Sequence, residues 1–306
     1  MERKISLGDL QKTVEEAYEN YKSEKDGQIA EGLDVQNPKA FGISVVLTDG
    51  TVVNKGDTAI LSPLGDIAKI PTATLLLTQY TPEQIVSKSG CGCKCDKGDK
   101  KKVGICVKGL RAVSAVEPQN DPDGKWDLMI NNIINLMGSA PVLDDKLYEA
   151  LSNKEKENDT LQAIADAQIT LLDKPETSLM LFTKLISLQA TAEQIATMGA
   201  TIAADGVNPK NGSNVFDGSI AANVVAMAAR GPKKAGKCWM MEVGLPAKSS
   251  FGGMILAILP GFGAIAAYSP ELDEKGLSVK AAKAIQYVAN KLQLNVYASA
   301  RVKVEK

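Results

Sequence analysis

The residues whose types and spacing could do chemistry are concentrated in Gly244-Leu245-Pro246-Ala247-Lys248-Ser249-Ser250-Phe251-Gly252-Gly253, with the apolar run Met254-Ile255-Leu256-Ala257-Ile258-Leu259 directly behind. A lysine beside a serine supplies a fixed positive charge and a hydroxyl, a pair suited to holding a carboxylate. Glycines on either side let a ligand approach the backbone with no Cβ in the way. The same pair suits a plain scaffold role equally well. A second cluster is Cys91-Gly92-Cys93-Lys94-Cys95 with Cys106 further on. Four thiols at glycine-rich spacing, with Lys94, Lys97 and Lys100 to Lys102 beside them to offset thiolate charge, suit a zinc ion or an iron–sulfur cluster. Their C-x-C-x-C spacing departs from the C-x-x-C of zinc knuckles, and reactive thiols or a lysine-rich surface loop are the alternatives.

Histidine is absent from the 306 residues, which removes Ser-His-Asp and Cys-His triads and any His-ligated metal. Proton transfer near neutral pH then falls to Lys, Tyr, Cys or a carboxylate with a shifted pKa. A net charge of -1 gives no global field for nucleic acid or an anionic membrane. The run Lys97 to Lys102 has no interleaved aromatics of the kind that stack on bases. No apolar run approaches the roughly 18 residues of a membrane span. The polar start Met1-Glu2-Arg3-Lys4 and the clustered cysteines point to a reducing, cytoplasmic setting.

The elements that must position these groups follow from periodicity. Leu7, Leu10, Val14, Ala17 and Tyr21 fall at helical spacing and predict an amphipathic opening helix. Residues 41–48, the Asp49-Gly50 turn and residues 51–53 predict a hairpin. A helix is expected up to about Gln79, with Pro71 in its first turn, and a second one is capped by Thr81. Further helices are predicted over 126–137, 143–151, 161–172, 178–188, 192–204 and 220–229. Strands are predicted over 238–243, 254–259 and 262–267, with Cys238 a small core residue, before a last helix over 279–292. Trp126 and Trp239 are expected in the core. Strands near both ends with helices between them predict an α/β protein whose sheet is built from both termini. The expected division is a sheet domain of residues 1–68 and 236–306, and an inserted helical domain of 69–235 carrying the cysteine-rich loop 87–107.

With these elements in view, the chain resembles the serine-dependent glutaminases, enzymes of the β-lactamase-like fold. The resemblance is carried by Ala203-Ala204-Asp205-Gly206-Val207-Asn208-Pro209, Val243-Gly244-Leu245-Pro246-Ala247-Lys248-Ser249, Gly252-Gly253, Pro260-Gly261 and Ser269-Pro270-Glu271-Leu272-Asp273-Glu274-Lys275-Gly276-Leu277-Ser278-Val279-Lys280, in order and at suitable intervals. Residues 41–57 are similar too, and only 87–107 are rewritten. The resemblance implies a mixed or antiparallel sheet flanked by helices, a small amino-acid-like ligand and a homo-oligomer.

It also implies which positions should matter. In that family a serine in Ser-x-x-Lys attacks the side-chain amide of glutamine while the lysine takes its proton. The matching run here is Asp66-Ile67-Ala68-Lys69, so the lysine stands and an aspartate occupies the nucleophile's place. A carboxylate beside Lys69 is expected to hold the amine in its charged form, the wrong state for a base. The alternatives for this pair are a rebuilt site or an ion pair that plugs the old pocket. Other positions differ as well. Cys106 falls in place of a substrate-holding Asn, Phe182 in place of a substrate Tyr, and Pro232 or Lys233 in place of an active-site Tyr. Phe251 replaces the Val that lends an oxyanion-hole N–H, a backbone contact that survives substitution. A Tyr-Ile-Pro segment has no counterpart near residues 31–33, and of a substrate Glu and Asn expected in 151–162 only Glu155 is near. The expectation is a catalytically degenerate homologue with a binding, assembly or metal/thiol role; the alternative is an active glutaminase using Ser62 or Ser249.

Overall fold

The computed structural model describes residues 2–305 apart from 26, 31, 32, 36, 90–106, 167, 230, 233–235 and 300. A strand, β1 (Glu2–Ser6), leads into α1 (Leu7–Tyr21), which Ser6 caps by accepting from the Asp9 N–H at 3.0 Å. The hairpin follows as β2 (Gly42–Leu47) and β3 (Val52–Gly56). After β4 (Ser62–Pro63), a 3-10 turn over Gly65–Ala68 runs straight into α2 (Lys69–Gln79). Next come α3 (Pro82–Ser89), α4 (Val107–Ala115) and α5 (Pro122–Met137). They are followed by β5 (Val142–Leu143), α6 (Asp145–Leu151), α7 (Lys154–Asp166) and α8 (Pro175–Ile186). The chain continues through β6 (Leu188–Ala190), α9 (Ala192–Ala203), α10 (Ala221–Ala228) and α11 (Gly236–Glu242). It closes with β7 (Ala247–Ser249), β8 (Met254–Leu259), β9 (Gly263–Tyr268), α12 (Val279–Lys291) and β10 (Arg301–Glu305).

Five strands form one antiparallel sheet in the order β3-β2-β9-β8-β7, so strands near both ends of the chain do build it. Its middle strands are covered on both faces, which is why they read as continuous apolar or small residues rather than alternating ones. Val46, Leu256, Ile258, Ala264 and Ala266 face a core shared with α2, α4, α5, α8 and α9. Ile43, Val45, Ile255, Ala257 and Ile265 face a second core shared with α1 and α12. At the centre of α9, Gly199 permits close approach to the sheet: a Cβ there would lie 2.8 Å from Leu256 Cδ1.

Two buried polar struts hold the helical layer. The Asn208 side chain, fully buried, donates to Asn135 O at 2.7 Å and Leu136 O at 3.3 Å, tying the Asn208-Pro209 segment to the end of α5. Lys125 and Asp173, each 1% exposed, pair at 2.8 Å, and Lys125 Nζ also reaches Ser114 O of α4 at 3.4 Å.

Several predicted elements need correction. Residues 238–243 are not a strand: α11 covers Gly236–Glu242, and Cys238 is exposed on it rather than buried in a sheet. Trp239 alone of that segment's start takes a core position, its Nε1–H donating to Leu245 O at 2.8 Å. The helix expected from 161 starts at Lys154 and ends at Asp166. Residues 87–89, expected in a loop, belong to α3. The parallel β1–β10 pair and the small sheet β4-β6-β5 had no signal in periodicity. Among the described residues, no helix is long and apolar enough to cross a membrane.

Candidate functional site

Asp66 and Lys69 lie at the junction of the 3-10 turn and α2. The turn is anchored in front by Leu64 N–H, which donates to Leu188 O at 2.7 Å, and closed by Lys69 N–H donating to the carbonyls of Asp66 and Ile67. In a 3-10 turn residues three apart eclipse one another, so the two side chains are stacked. Lys69 Nζ stands 2.6 Å from Asp66 Oδ1, with side chains about a quarter exposed, at 21% and 26%. This is the geometry of an ammonium donating to a carboxylate. No hydroxyl is offered by residue 66, so the step in which a lysine amine withdraws a serine proton has no atoms to act on at this place.

Two glycines bring aromatic rings to the pair. A Cβ on Gly65, whose φ is +49°, would stand 2.9 Å from Phe251 Cδ1 and 2.9 Å from Ser250 Oγ. A Cβ on Gly109, in the first turn of α4, would collide with the Phe182 ring and stand 3.2 Å from Lys69 Cε. Lys69, Asp66, Phe182 and Phe251 are therefore brought together where the 3-10 turn, α4, α8 and the turn after β7 meet. Phe182 is buried with its ring packed on Gly109, and Phe251 is half-buried.

The turn after β7 is locked onto β4 by serines. Ser250 Oγ–H donates to Pro63 O and accepts from Gly252 N–H at 3.0 Å, while Ser62 Oγ–H donates to Gly252 O at 3.3 Å. Ser62 and Ser250 thus fix the position of Phe251. Only their place between glycines and proline hinted at this.

Lys248 and Ser249 project on opposite faces of the sheet. Lys248 pairs in register with Leu256, and Ser249 with Ile255. Leu256 belongs to the core on the α2 side and Ile255 to the core on the α12 side. Opposed residues of an antiparallel pair share a face, so Lys248 projects on the face of the sheet that carries Asp66 and Lys69, and Ser249 on the other. Glu155 is exposed in the first turn of α7, and Pro232 is buried. Cys91, Cys93, Cys95, Cys106 and Lys233 lie outside the described residues; among the described ones, no group of three or more His, Cys, Asp or Glu side chains could hold a metal.

Comparison with known proteins gives the same framework a family. The glutaminase family model matches residues 103–297. A glutaminase of Bacteroides thetaiotaomicron is 36% identical over 97% of each chain, and one of Parabacteroides distasonis 33% identical over 99% of each. Among solved structures, the probable glutaminase YbaS is 26% identical and superposes with a TM-score of 0.86, covering 96% of this chain and 100% of its own. The Bacillus subtilis glutaminase YbgJ, solved as a covalent complex with 5-oxo-L-norleucine, has a TM-score of 0.77 at 21% identity, with 94% and 98% covered. Matched at that coverage, the β-lactamase-like fold extends through both the sheet and its helical layer, and the chain belongs to the glutaminase family.

Proposed function

We propose that this chain keeps the glutaminase framework as a binding site and has lost the Ser-Lys hydrolytic step. The observation that carries this reading is the Asp66–Lys69 ion pair at 2.6 Å, standing where a serine nucleophile and its base are expected. The ligand is a small amino-acid-like molecule. Support comes from relatives solved in a glutamate form, and from the cation of Lys248 on the same face of the sheet. The protein works as a cytoplasmic homo-oligomer, which light scattering on the purified chain and cell fractionation test.

The deciding experiment is ammonia and glutamate release from glutamine by the purified protein, with Lys69→Ala alongside. The reading expects no turnover above the no-enzyme control for either protein. Turnover abolished by Lys69→Ala would restore the alternative, an active glutaminase. The names and high coverage of the relatives favour that alternative. A second reading places thiol or metal chemistry in the cysteine-rich stretch: the first turn of α4, one residue after Cys106, begins beside Lys69. Zinc and iron analysis of the protein, with Cys93→Ala and Cys106→Ala, tests it. Metal retained at the same ratio in both variants removes that reading.

A further inference from the structure

On the opposite face of the sheet from Lys69, the segment after α12 folds back and leaves an open cavity of about 360 Å³. Its floor is Val243, Ala289 and Leu294, all buried members of the α12-side core. Its rim is Asn290, Gln293 and Asn295. Among the described lining residues there is no Asp, Glu, Lys or Arg. An apolar floor with a few convergent polar groups, at this volume, is the composition of a small-molecule site.

Two features show that the rim is built rather than incidental. Gln293 follows the last turn of α12 at φ +50°, and Leu294 N–H donates back to Ala289 O at 2.7 Å, the hydrogen bond of a left-handed helix stop. Glycine or asparagine suits that conformation best, so a glutamine there retains a side chain at a conformational cost. Asn295 is fixed as well: its Oδ1 accepts from Tyr297 N–H at 2.8 Å, and its carboxamide packs on Gly244, whose φ of +71° brings the backbone against it. Gly244 O in turn accepts from Val296 N–H at 3.0 Å.

We propose that this cavity is a second binding site, for a small uncharged molecule that carries an amide and an apolar side group. Carboxamides donate and accept at once, so a rim built of them matches a ligand that also does both and can exchange hydrogen bonds with it, while Asn295 keeps its bond from Tyr297 N–H. With no charged side chain among the described lining residues, a carboxylate or ammonium seated on the apolar floor would lose solvation without gaining a counter-charge from them. The apolar group rests on Val243, Ala289 and Leu294.

The test titrates N-acetyl-L-leucinamide into the full chain by calorimetry and by amide chemical shifts, with N-acetyl-L-leucine as the charged counterpart. Saturable binding of the amide is expected, with the acid weaker by about tenfold or more. Gln293→Gly relaxes the left-handed turn and removes only the side chain. It should melt no lower than the parent while binding the amide about tenfold less tightly. Ala298→Trp, which fills the cavity from its rim, should abolish binding with the fold intact. No saturable binding by the parent chain, equal affinity for the acid, or undiminished binding by both variants overturns the proposal.

Discussion

Replacing a hydroxyl by a carboxylate beside an amine changes what the amine can do, and the surroundings decide what the change costs. The Asp66–Lys69 pair is about a quarter exposed, so water already screens it, whereas Lys125–Asp173 is 1% exposed on both sides. Asp66→Asn should therefore cost about 1 kcal/mol or less of unfolding free energy. Lys125→Met should cost about 3–5 kcal/mol, because it strands a carboxylate in the interior. Urea unfolding of the two variants measures the contrast, and equal losses would contradict it. Asp66→Ser returns a hydroxyl three residues before the lysine. Phe182, buried against Gly109, has none to offer a substrate, so on the proposed reading this single variant should not hydrolyse glutamine. A coupled ammonia assay on Asp66→Ser checks it; measurable turnover would show that residue 66 alone had silenced the site.

At the scale of elements, α9 decides how the helical layer meets the sheet. It starts with a complete capping box: Thr191 Oγ1 accepts from Gln194 N–H at 3.2 Å, and Gln194 Oε1 accepts from Thr191 N–H at 2.9 Å. Thr191→Ala should lower stability by about 1 kcal/mol, read as a shift of the urea midpoint with an unchanged slope. The helix itself, like α1, α12 and the β2–β3 hairpin, was legible in the sequence because each has a long run of one period with clear stops. The segment Cys238-Trp239-Met240-Met241 was misread because a short apolar run cannot be divided between strand and helix by periodicity. The β1–β10 pairing joins the two ends of the chain, and no local pattern carries that information. The position of Lys69 and the aspartate three residues before it were visible in the sequence. Which face of the sheet Lys248 takes and which Ser249 takes was not, since that depends on the register of β7 against β8.

For the whole molecule, the interior ion pair sets a pH dependence whose sign can be worked out. Burial raises the Asp173 pKa, but the hydrogen bonds from Lys125 and from the Lys174 backbone outweigh it and hold the carboxyl below its ordinary 3.8. Glu193, bonded to Lys210 and Asn54, is likewise held below 4.5. A carboxyl with a lowered folded pKa contributes stability above its unfolded value, and that contribution is lost as pH falls through the folded value. Both contributions should therefore be constant near neutrality and decline in acid below about pH 4. Lys125→Met removes the main cause of that lowering at Asp173. Without its partner the buried carboxyl is left with burial opposed only by backbone hydrogen bonds, so it should protonate more readily than in the parent, and acidification relieves the penalty while the parent still has its ion pair to lose. The stability gap between the parent and Lys125→Met should be widest at about pH 7 and narrow by about pH 4, measured as urea unfolding free energies at matched ionic strength. A gap that stays constant over that range would mean the cost of the variant is packing rather than charge, since the loss of the lysine stem alone does not titrate.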